Sequence, residues 1–193
     1  MSENALNVEL SAFLAKFHLP PAWAAELNRM AEHDAADAAQ STAASVSTLR
    51  TDIVTLNGKI ARLTDLFVEQ DIERDEYLSL KRELMSTKRT AQENILRLER
   101  NATAWLEPMQ KWLKDASSLG EAAQSEDLPS KKATLQKIFG SNLTLHAREA
   151  RGMPKSPWHA VAAATACQSE TDLVSTLVSI YNAARTHFST NAD

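Results

Sequence analysis

A chain of 193 residues fits one domain, or a small domain with an elongated appendage. Its 44% hydrophobic and 24% charged residues are a globular composition, and four Gly and six Pro among abundant Ala, Leu, Glu, Lys and Gln favour a mainly helical fold. The single cysteine, Cys167, excludes an internal disulfide framework and a Cys-x-x-Cys metal knuckle. The net charge of -4 is unevenly spread: residues 1–46 are acidic, 47–100 are balanced, and 111–160 carry a small excess of bases.

No basic, apolar and small-residue signal opens the chain, and no apolar run is long enough to span a bilayer. The expected compartment is therefore a reducing cytoplasm, with no membrane partner.

Leu6, Leu10, Phe13, Leu14 and Phe17 recur at helical spacing, and the pattern stops at "LPPAW". There Pro20 disfavours helical geometry in Leu19, and either proline suits the first turn of a second helix. Residues 1–34 are thus read as the N-terminal helices of a base. From Ala35, the positions Ala39, Thr42, Val46, Leu49, Ile53, Leu56, Ile60, Leu63 and Phe67 alternate steps of four and three, the rhythm of a coiled-coil seam. After a charged corner, Tyr77, Leu80, Leu84, Lys88, Ala91, Ile95, Leu98, Ala102 and Trp105 continue it. Two such runs joined by a short polar link predict a long antiparallel coiled-coil hairpin arm over 35–106, its tip near 68–76.

Within the corner "EQDIERDE", Ile72 is the one apolar residue, and Phe67 and Tyr77 flank it. These three are the candidate partner-binding residues of the tip; packing across the turn is the plainer use of the same side chains.

Residues 107–166 are expected to form a base domain of helices and a short β element. Pro108 bends or restarts the helix, Gly120 reads as a stop, and "LPSKKATLQKIFG" as a short helix ended by Gly140. Asn142 to His146 reads as a strand, with a second around Ala147 to Arg151. A C-terminal helix occupies 167–193, with Ser169 and Asp172 at capping-box spacing.

The chemistry-bearing residues do not converge in sequence. The five histidines lack ligand spacing to one another or to Cys167, so no metal or other cofactor is expected. Nothing near Cys167 suggests a base to activate it, and there is no glycine-rich phosphate loop; no enzymatic activity is expected. Lys131, Lys132, Lys137, Arg148, Arg151 and Lys155 form the one candidate basic surface, read either as a solvated face or as phosphate contacts to DNA.

The order of "LPPAW", the heptad runs with the tip "DIERDEYLSLKREL", then "WLEPMQKWLKDA", "DLPSKKATLQKIFGSNLTL" and "PKSPWHAVAAA" resembles the C-terminal region of site-specific serine recombinases of the resolvase and invertase family, over Ala5 to Ala164. That resemblance implies a recombinase-derived fragment begun at an internal methionine, its arm pairing with like arms or with a full-length recombinase in DNA recombination. The chain departs from the family in having neither the catalytic domain nor the four-cysteine zinc ribbon, so no catalytic serine or zinc ligand carries over. The functional expectations are thus three: a non-catalytic coiled-coil interaction module, a DNA-binding accessory protein using 111–160, or a helical structural scaffold.

Overall fold

The computed structural model describes residues 3–146, 149–166 and 173–190. In chain order these form α1 (Glu3–Ala15), α2 (Pro21–Val68), α3 (Arg74–Asn101), α4 (Leu106–Gln124), α5 (Leu128–Phe139), strands β1 (Thr144–His146) and β2 (Glu149–Arg151), then α6 (Trp158–Ala166) and α7 (Leu173–Thr190). The strands form a two-stranded antiparallel sheet with Leu145 opposite Ala150. Cys167, Ser169, Asp172 and Arg148 lie outside the described residues. Among the described residues, no helix is long and apolar enough to cross a membrane.

The chain divides into two units, Met1–His33 with Ala104–Asp193, and Asp34–Thr103. The first is a bundle in which α1 packs on α4, α5 and β2, α4 packs on α5 and α7, and α6 packs on α7. Its elements follow from local chemistry. The last turn of α1 tightens into i to i+3 bonds, Phe17 N to Leu14 O at 3.0 Å and His18 N to Ala15 O at 3.3 Å, so the helix closes before the prolines. Pro21 opens α2, and Pro108 falls in the first turn of α4, where a missing donor costs nothing. Asp127 caps α5 by accepting from the Ser130 amide, and Gly140 ends it at φ 63°, a conformation that a residue without Cβ adopts freely.

Leu10, Leu14 and Phe17 of the first helical stripe are buried, as are Met109, Leu113 and Ala116 of α4 and Leu135, Ile138 and Phe139 of α5, the two helices on which α1 packs. Phe13 stacks on Phe139 at 5.1 Å between ring centroids, and Phe17 meets the same ring edge-on at 5.3 Å. Trp112 of α4 packs edge-on to Trp158 at 5.6 Å and lies 6.1 Å from Phe188. The Arg185 guanidinium lies 3.8 Å from the centroid of Trp105, a cation over the face of a buried ring.

In the second unit, residues of α2 from Asp34 onward pack against α3. Phe67 stacks on Tyr77 at 4.3 Å with 13° between ring planes, and Arg50 pairs with Glu99 at 3.0 Å, so the two segments run in opposite directions. That ion pair is solvent-exposed and contributes about 0–1 kcal/mol. The hydroxyls of Thr48, Thr51 and Thr55 donate back to the carbonyl four residues earlier, which satisfies them without a partner helix.

The expected fold, a coiled-coil arm dominating a small base, is corrected by this packing. Among the described residues, every buried apolar side chain except Ala35, Val46, Leu63, Tyr77 and Ala91 belongs to the bundle of the first unit. Along the expected seam, Ala39 is exposed, Leu49, Ile53, Leu56 and Ile60 are only half-buried, and Leu80 is 39% exposed. An open groove runs between Leu49, Thr55 and Leu56 on one side and Thr87, Thr90 and Ala91 on the other. The heptad rhythm is present in the sequence, but the inter-helix packing that excludes water lies in the bundle.

Gly120 is also not the stop that its residue type suggested: α4 continues to Gln124. A Cβ at Gly120 would lie 2.9 Å from His18 Cε1, and its amide donates to His18 Nδ1 at 3.1 Å. One turn earlier, the Ala116 carbonyl accepts from the Leu19 amide at 3.2 Å. The glycine therefore lets the α1–α2 connector lie against α4. Gly120→Ala is expected to destabilise the protein by about 1 kcal/mol although alanine is the better helix former, because the imidazole must swing away and lose its bond. In a His18→Ala background the same change should stabilise by about 0.5–1 kcal/mol. Denaturant unfolding of the four-member cycle checks the sign reversal; additive effects would contradict the contact.

The turn between α2 and α3 carries one strained residue. The Asp71 amide donates to Leu66 O at 2.9 Å and the Gln70 amide to Phe67 O at 3.2 Å, the bond pair of a Schellman cap, with Gln70 at φ 68°. Glycine is favoured at that position and glutamine is not. Gln70→Gly should therefore raise stability by about 0.5–1 kcal/mol with helicity unchanged, read from the unfolding midpoint and circular dichroism.

Candidate functional site

Two groups of side chains carry the sequence expectations, the residues of the turn between α2 and α3 and the basic residues of 111–160. At the turn, Ile72 is half-buried, Phe67 is half-buried and Tyr77 is buried. The face of Phe67 is covered by the Tyr77 ring, so the two aromatics satisfy one another within the unit. Lys81 Nζ donates to Tyr77 Oη at 2.9 Å and lies 5.1 Å from its ring centroid. The Lys81 hydrogen bond, then that of the Thr64 hydroxyl, holds the Tyr77 phenol below the usual tyrosine range; the Lys81 charge acts in the same sense, while partial burial opposes it.

Of the six candidate phosphate contacts, Lys131 is buried inside the bundle, only 2% exposed. Its Nζ donates to Asn7 Oδ1 at 2.8 Å and to Ser11 Oγ at 2.6 Å, and the Ser11 hydroxyl donates in turn to the backbone carbonyl of Asn7 at 2.8 Å. Lys131 is thus a tie between α5 and α1. A sequence signal for it exists: Lys131, Leu135, Ile138 and Phe139 fall at i, i+4, i+7 and i+8, all on the buried stripe of α5.

Lys132 and Lys137 are exposed on α5, Arg151 is exposed on β2, and Lys155 is exposed before α6. The Lys155 amide donates to the Ile138 carbonyl at 2.9 Å and its side chain passes over Gly140, which holds it beside the end of α5. Arg148 lies outside the described residues. The basic surface is therefore reduced from its sequence extent by the loss of Lys131 to the core.

Elsewhere the polar groups do not converge. Among the described residues, no three or more of His, Cys, Asp and Glu are grouped to hold a metal ion. Among the described residues, the buried indole nitrogens of Trp105 and Trp112 have no hydrogen-bond partner. The contact of His18 with Gly120 joins residues 102 apart in the chain, and no local pattern marks it.

Compared with protein-family models, curated proteins and solved structures, the chain matches none. The resemblance to serine recombinases thus has only its quoted segments behind it. The recombinase-type coiled-coil interaction module expected from it is corrected on the same grounds as the fold: the packed bundle holds the core, and Phe67 and Tyr77 are spent on each other.

Lys131→Ala is expected to cost about 2–4 kcal/mol in denaturant unfolding, from lost packing and two abandoned acceptors, whereas Lys132→Ala and Lys137→Ala should stay within about 0.5 kcal/mol. Equal effects at the three positions would contradict the burial of Lys131.

A pH titration followed by phenolate absorbance should show one of the two tyrosines ionising below the usual range, and Lys81→Met should move it back up. The folded phenol ionises before the unfolded one, whose ordinary value is about 10. Its contribution to stability is therefore complete above the unfolded value and lost as pH falls through the folded value. Near neutrality it contributes nothing.

Proposed function

We propose that the protein is a non-catalytic helical scaffold, a bundle whose task is to hold its own helices in fixed relation. The observation that carries this reading is the inward use of the side chains best suited to outside contacts. Phe67 and Tyr77 stack on each other, Lys131 ties α5 to α1, and Trp112 packs between Trp158 and Phe188. Aromatic side chains so engaged bury large apolar area and fix helix junctions.

A scaffold of this kind needs no strong phosphate contact. Fluorescence anisotropy of a labelled DNA duplex, titrated with the protein at low salt, should show no saturable binding. Binding that weakens steeply with salt and disappears when Lys132, Lys137 and Lys155 are neutralised would overturn the scaffold reading in favour of a nucleic-acid role.

A further inference from the structure

We draw no further inference here: the strongest candidate, the apolar patch that Leu173, Val174 and Val178 leave exposed at the start of α7 near the small-residue groove between α6 and α7, carries none because nothing in the structure shows what covers it.

Discussion

The broad buried face of α4, shared by α1, α5 and α7, is the constraint from which the bundle follows. Met109, Leu113 and Ala116 are closed off together with the stripe of α1, while Trp112 meets Trp158 and Phe188. A helix that meets several neighbours with one face needs a broad apolar stripe there, and α4 has it at 109, 112, 113, 116 and 119, extended by Trp105 at its N-cap. It must also admit the connector that leads from α1 to α2. Side-chain packing alone would leave that connector's amides unpaired in a crowded place. The Leu19 amide instead takes the Ala116 carbonyl, and His18 accepts from the Gly120 amide. The absence of a Cβ at Gly120 is what permits both.

Two helices alone cannot reproduce this. In α2 and α3 each apolar stripe has one neighbour, so side chains at the edge of the contact stay half-exposed even where the spacing is regular. Stability there draws more on intrinsic propensity, on hydroxyls bonded within their own helix, and on a few close pairs such as Phe67 with Tyr77. The contrast explains why the same heptad rhythm buries few side chains in either helix, while the less regular pattern of α1, α4 and α5 buries many.

Legibility in the sequence follows the same division. Local chemistry was readable: the proline break before α2, the start of α4 around Pro108, the end of α5 at Gly140 and the pair of strands near 142–151 all depend on a few adjacent residues. Properties set by neighbours distant in sequence were not. Gly120 looks like a helix end because glycine usually is one, and only the presence of His18, far away in the chain, makes it a point of close approach. A periodic stripe names the face that will be covered, but not how many elements will cover it, which is why the seam looked closed. Lys131 is the intermediate case, since its residue type points outward and its helical position points inward. Position prevailed because Asn7 and Ser11 supply the acceptors that a buried amine requires.

That outcome bears on function. A cation drawn into the core cannot also neutralise a phosphate, and an aromatic pair closed face to face has less surface to offer a partner. Each residue moved from the outward set to the inward set weakens a reading based on recognition and strengthens one based on architecture. The charges left outside, among them Lys132 and Lys137, are solvated on the open side of α5, where long flexible side chains lose little by staying in water. The balance of what is buried against what is merely exposed is therefore the physical basis for reading this chain as a scaffold, and it rests on specific contacts rather than on composition.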